Sequence, residues 1–147
     1  SGNLRNGVVL KYSEALDAGV PPNVWRLYVF NGDELEETLY IHRQASYLIG
    51  KDRRVSDIIL SHNSCSKQHA VLVFRNVEVT DTGNGSVRRV NRPYLLDLKS
   101  TNKTFLNGDE IEDSRYYELR EQDCIRFGAG KVEYVLLHDK SAKANDQ

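Results

Sequence analysis

Short β-prone runs, separated by turn signals, recur along almost the whole chain. This alternation constrains the fold more than any other feature of the sequence. The runs are "VWRLYVF" (24–30), "TLYIH" (38–42), "YLIG" (47–50), "DIIL" (57–60), "HAVLVFRNVEV" (69–79), "RPYLLDL" (92–98), "TFLNG" (104–108), "YYEL" (116–119), "CIRFG" (124–128) and "VEYVLLH" (132–138). Three Asn-Gly pairs, Asn31-Gly32, Asn84-Gly85 and Asn107-Gly108, fall between such runs. Asn and Gly tolerate the positive φ of tight hairpins, so each pair predicts one. Strand periodicity puts Leu27 and Val29 on one face, with Tyr28 and Phe30 on the other. It likewise sets Ile125 and Phe127 opposite Cys124 and Arg126. With no sustained helical period, the expected class is all-β, a sandwich or barrel.

The segment "SEALDAG" (13–19) reads either as a short helix ending at Gly19 or as irregular chain, closed by Pro21-Pro22. Residues 1–23 read as an arm, partly flexible, outside the core; 24–139 as the domain; and 140–147 as a polar, disordered tail. At 147 residues the chain suits one domain. The chain contains no methionine, which suggests a fragment of a longer protein, with Ser1-Gly2 as a cloning remnant. No apolar stretch approaches the roughly 18–20 residues that span a membrane, and no membrane partner is expected. Two cysteines, Cys65 and Cys124, are too few for a disulfide framework and read as small apolar residues in a reducing compartment.

The formal net charge is −1, unevenly spread: −2 over residues 1–50, +5 over 51–103 and −4 over 104–147. A cationic middle in a near-neutral chain suggests a local anion site, with a salt-bridged surface as the plain alternative. The middle holds "SCSKQHA" (64–70), which permits three readings. Ser66 and His69 would be a nucleophile and base, but no Gly-x-Ser-x-Gly elbow surrounds the serine, and i, i+3 residues meet only if the strand turns. His62, Cys65 and His69 have ligand-like spacing but lack a fourth ligand at zinc-site spacing. The anion reading uses more of the sequence. Replacing a phosphate's hydration shell takes hydroxyls, amides, backbone N–H groups and cations. "SCSKQH" (64–69) and "KSTNKT" (99–104) supply them, with "GKDRR" (50–54) adjoining, each at the end of an expected strand. Taken singly, each loop is equally a polar turn with self-capping hydroxyls.

The series "YLIGK…SCSKQHAVLVF…YLLDLKSTNKTFLNG…YYELREQDCIRFG" resembles a forkhead-associated (FHA) domain over Trp25 to His138. The order is that of the family: Gly-Arg, Ser-x-x-His, Thr-Asn-Gly-Thr, Asn-Gly, then Asp-x-Ile-x-x-Gly. The resemblance implies a β-sandwich of about eleven strands binding phosphothreonine peptides through loops at one end, with no cofactor, metal or catalysis. It implies that Ser66 donates to the phosphate, that Thr101 bonds phosphate or the neighbouring loop, and that Asn102 holds the peptide backbone. Lys67 falls at a polar phosphate or peptide contact. His69 ties loops together, and Gly50 permits the turn into the cationic loop. Two positions depart from the pattern. Lys51 replaces arginine, keeping charge but losing the planar fork, for which Arg53 or Arg54 would compensate. Lys103 replaces glycine, so a positive φ there would cost roughly 1–2 kcal/mol, while its ammonium adds a possible phosphate contact.

"YIHRQASYLIGKDRRVSDI", "RYYELREQD" and the arm "NGVVLKYSEALDAGVPP" are similar to one branch of the family, the FHA subunits of the nuclear pre-mRNA retention and splicing (RES) complex and their animal and plant relatives. That similarity implies a nuclear, spliceosome-associated module whose N-terminal segment docks an RNA-recognition-motif subunit. Two other functions stand beside phosphothreonine reading. One is a structural splicing subunit whose pocket does not require phosphate. The other is direct RNA contact by the basic loops joined by Arg88, Arg89 and Arg92, which few exposed-aromatic signals support.

Overall fold

The computed structural model describes residues 3–143. Thirteen strands form among the described residues. They are β1 (Leu4–Arg5), β2 (Val8–Val9), β3 (Asn23–Asn31), β4 (Glu34–Tyr40), β5 (Ser46–Gly50), β6 (Ile58–Ile59), β7 (Ala70–Thr80), β8 (Val87–Asp97), β9 (Thr104–Leu106), β10 (Asp109–Glu110), β11 (Tyr116–Glu118), β12 (Cys124–Phe127) and β13 (Val132–Lys143). Eleven of them, β3 to β13, build two facing sheets ordered β10-β9-β12-β13-β3-β4 and β11-β8-β7-β5-β6, and β1-β2 is a separate hairpin. Pairing is antiparallel throughout the two sheets except between β5 and β6. The chain is the all-β sandwich expected from its sequence.

The three expected hairpins form, each by its own turn. Asn107 and Gly108 both take positive φ, 52° and 88°, between the paired Leu106 and Asp109. Gly32, at φ 62°, and Asp33 make the β3–β4 turn while Asn31 stays in the ladder opposite Glu34. Asn84-Gly85 lies in a longer connection between the paired Thr80 and Val87.

Leu27, Val29, Ile125 and Phe127 are buried between the sheets, on the faces their periodicity predicts. β7 opens with five consecutive buried residues. Ala70, Leu72 and Phe74 face the inter-sheet core, whereas Val71 and Val73 join a second cluster with Leu48, Val55 and Leu98. An apolar run without alternation means a strand covered on both sides. The cover is the N-terminal segment. Val8, Leu10, Tyr12 and Ala18 pack against this second cluster. The segment expected to stand outside the core is therefore laid on it, because the outer face of β5 and β7 is too apolar to face water. "SEALDAG" takes the irregular alternative, with Ala18 bridged to Arg75 and the Gly19 N–H donating to the Phe74 carbonyl. At the other terminus β13 continues to Lys143, which pairs with Asn23, so residues 140–143 lie within a strand. Residues 144–147 lie outside the described residues.

Candidate functional site

The ends of β5, β7, β8 and β12 bring four loops together at one end of the sandwich. The loops following β5 and preceding β7 join by backbone bonds. The Lys51 and Asp52 N–H groups donate to the Ser66 and Lys67 carbonyls, each at 3.1 Å, and His69 N–H donates to the Ile49 carbonyl at 2.8 Å. The approach is so close that a Cβ on Gly50 would lie 2.0 Å from the Lys67 carbonyl oxygen. Gly50 is not at positive φ. Its place in the site is thus clearance for a neighbouring backbone, rather than the turn expected from the sequence.

Ser66 links this pair of loops to residues 98–103. Its Oγ accepts the Thr101 N–H at 3.1 Å, which leaves its own O–H to donate elsewhere. Asn102 Nδ2 donates to the Ser64 carbonyl at 2.8 Å. Thr101, Asn102 and Lys67 are exposed, and Lys51, Ser66 and Lys103 half-buried. Among the cations, Lys51 Nζ donates to the Asn63 carbonyl at 3.2 Å. Arg54 is committed to Asp52 through a two-pronged contact at 3.0 and 2.9 Å, which holds the Asp52 carboxyl below its ordinary range. Of the two arginines expected to compensate for the fork lost at Lys51, Arg53 makes no ion pair among the described residues, while Arg54 is committed to Asp52.

His69 is fully buried beneath these loops. Its Nδ1 accepts the Ser66 N–H at 3.0 Å, so that nitrogen carries no proton, and Nε2–H donates to the Lys103 carbonyl at 3.0 Å. The imidazole faces the Ser66 backbone, not its hydroxyl, so the two side chains make no nucleophile–base pair. Burial pushes its pKa down, partly opposed by the Lys103 carbonyl and by Asp97, 4.0 Å away. The segment 64–69 does turn, and the turn closes on the ring. His62 Nδ1 meets Ser64 Oγ at 2.7 Å, and the Cys65 thiol contacts the Phe127 carbonyl at 3.7 Å. The three candidate metal ligands therefore each have a different local partner. No group of three or more potential ligands converges among the described residues.

Lys103 sits at φ 71°, in the left-handed region that favours glycine. Its carbonyl is thereby aimed to accept from both His69 and the Gly128 N–H, the latter at 2.8 Å.

Three positions in this framework were not singled out by sequence reasoning. Asp97, at the end of β8, is buried, and its carboxylate accepts from Ser100 N–H, Ser100 Oγ and Thr104 Oγ1 at 3.0, 2.6 and 2.6 Å. The spacing Asp-x-x-Ser-x-x-x-Thr across 97–104 was the available signal, a carboxylate followed by hydroxyls that can fold back on it. Ser64 is a hub: its Oγ accepts the Ala129 N–H at 2.8 Å while its carbonyl holds Asn102. Gly128, at φ 62°, leaves room for it, since a Cβ there would lie 2.5 Å from Ser64 Oγ. Nothing in the local sequence pairs residue 64 with residue 128.

Arg88, Arg89 and Arg92 do not join the loops. They lie on β8 toward the opposite end, and Arg88 is about 30 Å along the strand from Asp97 at strand rise. The basic middle of the chain is one segment in sequence but two surfaces in space.

The FHA domain family model matches residues 47–128. The chain is 52% identical over 139 residues to mouse Smad nuclear-interacting protein 1, covering 95% of the chain and 36% of that protein. It is 48% identical over 142 residues to the Arabidopsis thaliana FHA domain-containing protein DDL, covering 96% of the chain and 45% of that protein. The chain thus spans less than half the length of these relatives. Among solved structures, the yeast Pml1 splicing factor, described with its integration into the RES complex, superposes with a TM-score of 0.73 at 26% identity, covering 88% of this chain and 98% of that one.

Proposed function

The chain belongs to the forkhead-associated (FHA) domain family, and from that premise we propose that it reads phosphothreonine in a partner protein as a module of a nuclear pre-mRNA splicing and retention factor. Ser66 carries the reading. With one lone pair engaged by the Thr101 N–H, its hydroxyl proton is free to donate where the loops meet. Lys51, Lys67, Arg53 and Lys103 supply the charge around it, while Thr101 and Asn102 supply exposed polar groups. A threonine phosphate brings close to two negative charges and three acceptor oxygens, which such donors match. In this reading Asn102, anchored on Ser64, holds the peptide main chain beside the phosphate.

The reading extends to location and partners: the nucleus, the spliceosome, and an RNA-recognition-motif subunit of a RES complex engaged through the segment N-terminal to β3. Its support is the likeness to Smad nuclear-interacting protein and to the Pml1 splicing factor of the RES complex. The function is binding, and no residue is assigned a catalytic role. A second reading, a structural subunit whose pocket needs no phosphate, is favoured by one observation: Lys51 and Asn102 already donate to backbone carbonyls of the protein itself.

The test is a titration against degenerate phosphothreonine peptides, with unphosphorylated and phosphoserine controls, for the parent chain and Ser66→Ala. Selective binding of phosphothreonine, weakened at least about tenfold by the substitution, is expected for loss of a charge-assisted hydrogen bond. Equal binding by parent and Ser66→Ala, or no preference for phosphate, would overturn the reading in favour of the structural subunit. In that case deletion of the segment N-terminal to β3 impairs assembly while pocket variants assemble normally.

A further inference from the structure

At the end of the sandwich away from the phosphate-site loops, one strand edge is left open. β7 and β8 pair over their full eleven-residue lengths, but β11 covers β8 only from Tyr94 to Leu96. The Leu119 N–H extends that cover to the Pro93 carbonyl at 2.9 Å, and no further strand lies beside β8 among the described residues. Main-chain groups of alternate residues point to the same side of a strand. Pro93 faces the β11 side, so the N–H and C=O groups of Asn91 and Arg89 face that side too. The partner strand is treated differently. Where β7 runs past β5, the N-terminal segment fills its edge, with Gly19 N–H on the Phe74 carbonyl and Asn76 N–H on the Asp17 carbonyl, at 2.9 and 2.8 Å.

The open edge forms one wall of a groove of about 520 Å³. Arg88, Arg92, Arg120 and Lys140 line it, and Glu118 is the carboxylate among its lining residues. Glu118 is paired with Arg92 at 3.3 Å, whereas Arg88, Arg120 and Lys140 form no ion pair among the described residues. The groove is therefore cationic beside a row of unpaired main-chain donors and acceptors.

We propose that this edge of β8, from Val87 to Pro93, takes an extended acidic segment of a partner protein as an added strand in line with β11. Main-chain bonds to Arg89 and Asn91 would give the docking its register, and the free cations would select acidic side chains. A peptide fits better than RNA for two reasons. Alternating N–H and C=O groups match another peptide backbone. The groove's two aromatic rings, Trp25 and His138, are stacked on each other at 3.9 Å and Trp25 is only 7% exposed, so the indole offers no open face to a base. This site is independent of the phosphothreonine reading and stands or falls separately.

The probe is a fluorescein-labelled octapeptide of alternating Glu and Val. An analogue N-methylated at alternate residues carries the same charge without the ladder donors, and a single-stranded RNA oligomer is the third probe. The octapeptide is expected to bind. Its affinity should fall at least tenfold for Arg88→Glu/Arg120→Glu and should largely vanish for the N-methylated analogue. Hydrogen exchange at the Arg89 and Asn91 amides should slow, and saturating phosphothreonine peptide should not compete. Both substituted arginines are exposed, and Arg88→Ala/Arg120→Ala gives a milder second variant. Equal binding of the N-methylated analogue, unchanged exchange at 89 and 91, competition by the phosphopeptide, or a preference for RNA would each overturn the proposal.

Discussion

Three residues give the candidate site its shape through their backbone or buried contacts, and each makes a prediction. A methyl group on Gly50 would lie 2.0 Å from the Lys67 carbonyl. Gly50→Ala should therefore cost about 3 kcal/mol or more, since both groups belong to backbone that cannot rotate aside; denaturant titration measures it, and a cost under about 1 kcal/mol would contradict the close approach. Lys103 at φ 71° predicts the reverse. Lys103→Gly should stabilise by up to about 1 kcal/mol, the relief of left-handed strain less the added freedom of the unfolded chain. If phosphopeptide affinity falls in that same variant, the ammonium contacts ligand. Asp97 accepts three hydrogen bonds in a buried place, and an amide in its position would turn a donor toward donors. Asp97→Asn should cost about 1–3 kcal/mol and loosen residues 98–103, detectable as faster hydrogen exchange at Ser100. Ser66, Thr101, Asn102 and Lys51 were legible as candidates because the site needs their chemistry. Ser64 and Gly128 were harder to read because they act through partners distant in sequence, whereas the partners of Asp97, Ser100 and Thr104, lie close by and meet it only once the loop folds back.

Among the elements, the β1–β2 hairpin shows what a sequence reading passes over. Asn6 and Gly7 form its turn at φ 50° and 77°, between the paired Arg5 and Val8. This fourth Asn-Gly pair has the same geometry as Asn107-Gly108, yet its flanking strands are two residues each and carry little β signal. The hairpin holds down the loops of the candidate site from outside. Arg5 and Asn6 donate to the Val55 and Arg54 carbonyls at 2.7 and 2.6 Å. Buried Gln68 bonds the Val9 carbonyl and the Lys11 N–H at 2.9 and 2.8 Å. Replacing Asn6 and Gly7 together by alanine puts two alanines in the left-handed region, for roughly 1–2 kcal/mol each, and removes the Asn6 bond to the Arg54 carbonyl. The expected result is faster exchange at the Arg54 to Asp57 amides while the β12–β13 ladder stays protected. Equal exchange at both places would mean that the hairpin merely covers the sheet.

For the molecule as a whole, pH acts through two imidazoles, the buried His69 and the half-buried His138. Burial holds both His69 and His138 below their ordinary range. Between the folded and unfolded pKa values the unfolded chain binds more protons. Stability should thus be complete above about pH 7 and fall as pH drops through the ordinary histidine value near 6.5. A lower denaturation midpoint at pH 5.5 than at pH 7.5 is expected, and a higher one would contradict the burial of these rings. Reductant should leave that midpoint unchanged, since Cys65 and Cys124 are both free and burial, with Glu133 beside it, pushes the Cys124 thiol up to about 11. The sequence by itself determined the class of fold, three of its hairpins, the inward faces of β3 and β12, and the three loops rich in phosphate donors. Those follow from periodicity two, from turn residues and from side-chain chemistry, all of which are local. The tertiary structure decided that the arm covers β5 and β7, that Gly50 is small for the sake of Lys67, and that Ser64 ties the loops. It also divided the basic middle of the chain between opposite ends of the sandwich. Each of these is a contact between segments far apart in sequence, set by which backbones the two sheets bring within a few ångströms, and a linear pattern carries no record of that.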